Sequence, residues 1–175
     1  SLNFALQAAL NPPKPGKQER RFGELIFREG DRVMQTRNDY DVVWQKEDGT
    51  AGTGIFNGDV GKIAKIDPSG ELLEIVFDDR TATYTSDMLA ELDMAYAMTV
   101  HKAQGSEYRG VVFVGAPCAP SLMVRGVLYT AITRARELLV IVGDDSAVNK
   151  MAENDRRSRR YSGLKWRLRK GWEEK

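Results

Sequence analysis

Thr99-Val-His-Lys-Ala-Gln-Gly-Ser-Glu107 and Tyr129-Thr-Ala-Ile-Thr-Arg-Ala-Arg136 decide how this 175-residue chain is read. Each sets polar or charged groups at the end of an apolar stretch. The first follows Ala95-Tyr-Ala-Met-Thr-Val100, and the second closes a segment in which Val124, Val127, Leu128, Ala131 and Ala135 recur at helical spacing. Gly110-Val-Val-Phe-Val114 and Leu138-Leu-Val-Ile-Val142 are apolar throughout. Such runs separated by a helix predict a parallel sheet covered on both faces. Ala95–Val100 is expected as a buried strand, Ser106-Glu107 as the start of a helical turn, and Ser121 as the cap of the helix between the two later runs. Ligands of parallel sheets sit beyond the carboxyl ends of the strands, where His101 and its neighbours fall.

Upstream the periodicity changes. From Gly23 to Leu92 the chain alternates, as in Leu73, Ile75 and Phe77, and it is punctuated by the turn sequences Asn57-Gly58 and Asp67-Pro-Ser-Gly70. Short strands joined by tight turns predict a small antiparallel barrel. Before it, Leu2, Phe4, Ala5, Leu6, Ala9 and Leu10 recur at helical spacing until Asn11-Pro12-Pro13 ends the helix.

A phosphate loop of the form G-x-x-x-x-G-K-[ST] does not occur in the sequence. Gly49-Thr-Ala-Gly-Thr-Gly54 is rich in glycine but runs into Ile55 and Phe56, and reads as a flexible loop. The formal charge of +1 conceals an asymmetry: Glu71–Asp93 is acidic apart from Arg80, whereas Lys150–Lys175 holds ten bases against four acids. The basic end suits either a nucleic-acid surface or a solvated helix face. Cys118 is alone, which fits a reducing compartment. No apolar run approaches the roughly 18 residues of a membrane span, so a soluble, cytoplasmic protein is expected. With one histidine and no clustered ligands, no metal site is expected from the protein itself.

The two opening stretches resemble the fifth and sixth motifs of superfamily 1 DNA helicases, and their wording is closest to the RecD-like branch that includes the alpha subunit of exodeoxyribonuclease V. Ala103-Gln-Gly-Ser-Glu107 separates that branch from Pif1-like helicases. Gln35-Thr-Arg-Asn-Asp-Tyr40 and the opening Leu-Asn-x-x-Leu-Gln-x-x-Leu-Asn-Pro-Pro phrase are similar to RecD-like segments as well. The resemblance implies an α/β RecA-like motor lobe of P-loop NTPase type with an inserted SH3-like barrel. Residues 1–22 and 93–146 would form the lobe, 23–92 the barrel and 147–175 a basic helical tail. It implies ATP-dependent 5′ to 3′ translocation on single-stranded DNA with duplex unwinding, in recombination and repair. ATP with Mg²⁺ would be bound mainly by an N-terminal motor lobe carrying the phosphate loop, so this chain alone is expected to be inactive. Nuclease–helicase complex subunits are the further partners it implies. The helicase part of a conjugative relaxase and a non-catalytic nucleic-acid-binding module are the competing readings.

On this resemblance Arg134 is the arginine finger, whose planar fork neutralises charge developing on a terminal phosphate. A cation at a helix C-terminus is the simpler explanation of the same residue. Arg136 reads as a helix-end or surface residue first and a phosphate contact second. Glu107 matches the acceptor of a ribose hydroxyl, or it is a helix N-terminal acid. Gly105 gives either a close approach or an unusual backbone angle. Gln104 reports nucleotide state or caps the turn. Thr99, His101 and Lys102 match positions that face single-stranded DNA, where contacts go to phosphates. Arg37, Asn38 and Tyr40 are further DNA candidates, with Tyr40 offering either a stacking face or a packing group.

Overall fold

The computed structural model describes residues 1–156 and 166–167. They fall into two compact units, Ser1–Lys102 and Ala103–Lys175. The part of the basic tail at 157–165 and 168–175 lies outside the described residues.

The first unit opens with helix α1 (Leu2–Leu10) and the antiparallel hairpin β1 (Glu19–Phe22) and β2 (Leu25–Arg28). Seven further strands follow: β3 (Arg32–Gln35), β4 (Asp39–Gln45), β5 (Ala51–Ile55), β6 (Val60–Ile66), β7 (Leu72–Phe77), β8 (Arg80–Thr85) and β9 (Leu92–Met94). They make one antiparallel sheet in the order β5-β4-β8-β7-β6-β3-β9. The alternation read from the sequence is the cause: Leu73, Ile75 and Phe77 all enter a core with Val33, Ile55, Ile63, Ile66, Tyr84 and Leu89. Both expected turns close, Asp59 donating its N–H to the Phe56 carbonyl and Gly70 to that of Asp67. Gln35, fully buried, donates to Glu91 at 2.8 Å and accepts from the Tyr84 hydroxyl at 3.0 Å, which ties β3 to the 3₁₀ turn Met88–Glu91 and to β8.

Two expectations for this unit are corrected. The glycine-rich stretch is a strand: β4 and β5 form a hairpin, and only Gly49 and its neighbours make the turn. Gly52 is glycine because a Cβ there would meet the Trp44 ring at 2.5 Å. The Ala95–Val100 stretch is not a strand, since pairing stops at Met94. The Asn3 side chain donates to the carbonyls of Met94 and Ala97 and accepts from the Ala97 N–H, taking the backbone groups that a ladder would need. The expected boundary between residues 92 and 93 falls inside β9.

Helix α1 docks by its polar side. Asn3, Gln7 and Asn11, spaced four apart, share a face and meet the rest of the unit, while Leu2, Phe4 and Leu10 are exposed. The centre of this docking is Asp31, which has no solvent exposure. Its carboxylate accepts from Gln7 Nε2 (2.6 Å), Asn11 Nδ2 (2.7 Å), the Arg28 N–H (2.7 Å) and the Tyr96 hydroxyl (2.8 Å). Burial, then the bond to Asp31, pushes the Tyr96 phenol up to about 12, so it keeps its proton and donates across the physiological range.

The second unit has β10 (Tyr108–Gly115), helix α2 (Arg125–Ile132), β11 (Ala135–Gly143) and helix α3 (Asp145–Glu153). β10 and β11 pair in parallel, joined by the expected helix. That helix starts later than expected, with Val124 and not Ser121 at its cap, and Ala135 belongs to β11. Ser106-Glu107 does not begin a helical turn either, because the Tyr108 N–H donates to the Arg134 carbonyl and the pair enters β10 directly. Asp144 caps α3 by accepting from the Ser146 N–H, and those bonds to Ser146 hold its carboxyl below the usual range. Phe113, Leu128, Ala131, Ala147 and Met151 are buried together, whereas Val112, Val114, Leu138, Val140 and Val142 are exposed. Both faces of the strand pair are apolar, and within the described residues α2 and α3 cover one of them.

Asp31→Ala would leave three buried donors and the half-buried Tyr96 hydroxyl without this acceptor. It is expected to lower the stability of the chain by about 3 kcal/mol or more, read by urea denaturation. A loss below about 1 kcal/mol would show that α1 is held by other means.

Candidate nucleotide and nucleic-acid sites

In the second unit the candidate nucleotide residues converge on one seam. Residues 106–108 lie along residues 133–136 and are joined to them by three bonds. Arg134 Nη1 donates to the Ser106 carbonyl at 2.9 Å, the Tyr108 N–H donates to the Arg134 carbonyl at 2.8 Å, and Arg136 Nε meets Glu107 Oε2 at 2.6 Å. Arg134 is half-buried and has a partner at each of its three nitrogens: its Nε donates to the Thr130 carbonyl at 3.1 Å and its Nη2 to the Thr133 hydroxyl at 3.2 Å. The guanidinium therefore caps the last turn of α2, where a cation is favoured, and at the same time grips the loop before β10. The planar fork makes both contacts possible, since its donors diverge in one plane.

Glu107 is exposed and stands at a strand entry, so the reading of it as a helix N-terminal acid falls away. Gly105 has φ of +86°, a left-handed angle that favours glycine, and no described protein atom lies within 4 Å of where its Cβ would stand. Gln104 is exposed in the turn over residues 100–105. The ion pair of Arg136 with Glu107 was not legible in sequence, because the two residues are 29 apart and each has a simpler reading as a surface charge.

In the first unit Thr99, His101 and Lys102 are exposed. The Lys102 N–H donates to the Thr99 hydroxyl, and its ammonium is 3.0 Å from Asp93. This segment is fixed from behind by Asn3 and by the Tyr96–Asp31 bond. Asn38 accepts from the Asn57 N–H at 3.0 Å, and a Cβ on Gly58 would lie 3.8 Å from the Lys102 carbonyl, so the loop after β3, the turn after β5 and residue 102 are neighbours. Tyr40 is 65% exposed, which excludes its reading as a buried packing group. Its ring stands edge-on to Phe56 with centroids 5.5 Å apart. Phe56 was missed by sequence reasoning; its place next to the Asn57-Gly58 turn was the available signal. Arg37 is exposed on the same loop as Asn38.

The antiparallel strand unit and the parallel α/β unit that follows it each match a helicase family model. Residues 2–77 match the ATP-dependent RecD-like DNA helicase SH3 domain, and residues 94–142 match the UvrD-like helicase C-terminal domain. The chain belongs to the RecD-like DNA helicase family. It is 37% identical over 158 residues to the ATP-dependent RecD2 DNA helicase of Deinococcus radiodurans, covering 90% of this chain and 20% of that protein. It is 32% identical over 139 residues to the RecBCD enzyme subunit RecD of Mycobacterium tuberculosis, covering 79% and 22%. The chain thus spans about a fifth of the length of these relatives. A solved structure concerned with DNA unwinding at forked dsDNA by two coordinating Pif1 helicases shares the fold with a TM-score of 0.50 at 17% identity, over 98% of this chain and 42% of that one.

Proposed function

We propose that this chain is the second, RecA-like motor lobe of an ATP-dependent DNA helicase that moves 5′ to 3′ along single-stranded DNA and unwinds duplex during recombination and repair. Residues 23–92 are its SH3-like insertion, 1–22 and 93–146 the lobe, and 147–175 a basic tail. Arg134 is the arginine finger, Glu107 accepts from the ribose, and Gly105 and Gln104 shape the loop between nucleotide and DNA. Thr99, His101, Lys102, Arg37, Asn38 and Tyr40 face the strand. ATP and Mg²⁺ are held mainly by an N-terminal motor lobe of the same protein. Subunits of a nuclease–helicase complex are further partners, and the setting is the cytoplasm. No described helix is long and apolar enough to cross a membrane.

The observation that carries this reading is the seam that ties Arg134 to Ser106 and Arg136 to Glu107. A finger must come from a rigid base, and Arg134 stems from the junction of α2 and β11 with its backbone bonded at both N–H and carbonyl. Arg134 donates to the Ser106 carbonyl, so a phosphate that drew its fork away would release the loop that leads back to Lys102. In-line transfer needs the terminal phosphate neutralised as charge develops, which an arginine supplies from the opposite lobe. Among the described residues one apolar face of β10 and β11 is left exposed, as in a strand pair that belongs to a sheet covered on both faces.

In the full-length helicase, Arg134→Lys is expected to retain ATP and DNA binding while DNA-stimulated turnover falls by about 10³-fold or more, because a point charge does not reproduce the fork. A fall of less than tenfold would remove Arg134 from the finger role.

The chain of 175 residues by itself is expected to show no DNA-stimulated ATP hydrolysis, since it lacks the G-x-x-x-x-G-K-[ST] loop. Turnover by the purified chain that disappears in Arg134→Ala would contradict this.

Replacing His101 and Lys102 together by Ala in the full-length protein is expected to abolish DNA stimulation of hydrolysis with basal nucleotide affinity nearly unchanged. If stimulation persists, the strand lies against other residues.

A further inference from the structure

The pairing of β10 with β11 slips by one residue at its beginning. Tyr108 faces Ala135 but Gly110 faces Leu138, so Arg136 and Glu137 together stand opposite the single residue Arg109. Bulges are uncommon in parallel pairs and re-aim side chains where they occur. Here the extra residue lets two charge pairs form at once across the strands. Arg109 takes Glu137 with a bidentate fork at 3.0 and 3.2 Å, and Arg136 reaches back to Glu107.

The two pairs differ in what they leave available. Arg109 occupies both oxygens of Glu137. Arg136 takes only Oε2 of Glu107, through Nε, and among the described residues no donor reaches Oε1. An exposed ion pair adds little to folding stability, so the consequence of this one is orientation. A carboxylate paired through one oxygen, at the end of a loop gripped by Arg134, is biased toward one orientation and leaves its other oxygen open among the described residues.

We infer that Arg136 is a positioning residue for nucleotide binding, holding Glu107 Oε2 so that Oε1 accepts from a sugar hydroxyl of the nucleotide. This rests on the reading of Glu107 as the ribose acceptor. Arg136 then sets the discrimination between ribonucleotide and deoxyribonucleotide without itself touching the substrate.

The test compares ATP with 2′-deoxy-ATP and 3′-deoxy-ATP in DNA-stimulated hydrolysis by the full-length helicase, reading KM and kcat separately. Wild type is expected to show a KM about tenfold higher for at least one analogue, the loss of a hydrogen bond to a charged group. Arg136→Ala should raise KM for ATP about five- to tenfold with kcat nearly unchanged, as lost uniform binding does, and should bring the analogue-to-ATP ratio close to one. Arg136→Lys, which retains the charge, should give an intermediate ratio. Arg109→Ala breaks the neighbouring pair on the same strands and should leave the ratio as in wild type.

If wild type fails to discriminate, or Glu107→Ala keeps the preference, the ribose assignment fails and the inference with it. If Glu107→Ala loses the preference while Arg136→Ala keeps it, the assignment stands and the inference alone is overturned. A KM that rises equally for ATP and both analogues in Arg136→Ala would make Arg136 a phosphate contact and overturn positioning. A ratio lost equally in Arg109→Ala would trace the effect to strand pairing and would overturn positioning as well.

Discussion

A single buried carboxylate organises the first unit. Asp31 sits in the turn between β2 and β3 and gathers donors from α1, from its own turn and from Tyr96. A carboxylate without solvent is tolerable only when its lone pairs are filled, and four donors at 2.6–2.8 Å fill them. Each of those donors is thereby committed as well. The helix must dock with Gln7 and Asn11 inward, and the chain after β9 must pass where Tyr96 reaches the same group. The segment carrying Thr99, His101 and Lys102 consequently starts from a fixed point instead of a flexible linker. A network of this kind specifies one arrangement strongly because a partly satisfied version is so unfavourable.

The second unit solves a different problem with arginine. The loop before β10 has few apolar side chains with which to hold itself, and Arg134 supplies the constraint by donating to the Ser106 carbonyl in the loop and to the Thr130 carbonyl in α2. The residue that caps the end of α2 is thus also the residue that secures the loop. Reciprocity follows from linkage: whatever draws the fork away loosens the loop, and whatever moves the loop frees the fork.

Both units also leave apolar groups in solvent. Leu2, Phe4 and Leu10 on α1, and Val112, Val114, Leu138, Val140 and Val142 on the strand pair, are exposed. Apolar residues at helical spacing normally mark the buried side of a helix, and α1 departs from that rule. The helix instead docks through amides, whose partner at Asp31 lies 20 residues or more along the chain.

The sequence alone determined what local chemistry can settle. Alternation and turn residues defined the antiparallel strands, the apolar runs defined β10 and β11, and the wording of two motifs defined the family. Tertiary structure decided what depends on remote partners. The glycine-rich stretch reads locally as a flexible loop, yet Gly52 sits in β5 against the Trp44 ring, which a Cβ would meet. Residues 95–100 looked like a strand until Asn3 was found holding their backbone. The entry into β10 is fixed by Arg134 and its bonds across the seam. In each case local propensity amounts to tenths of a kcal/mol to about one per residue, and a buried or backbone-directed hydrogen bond from a distant side chain outweighs it.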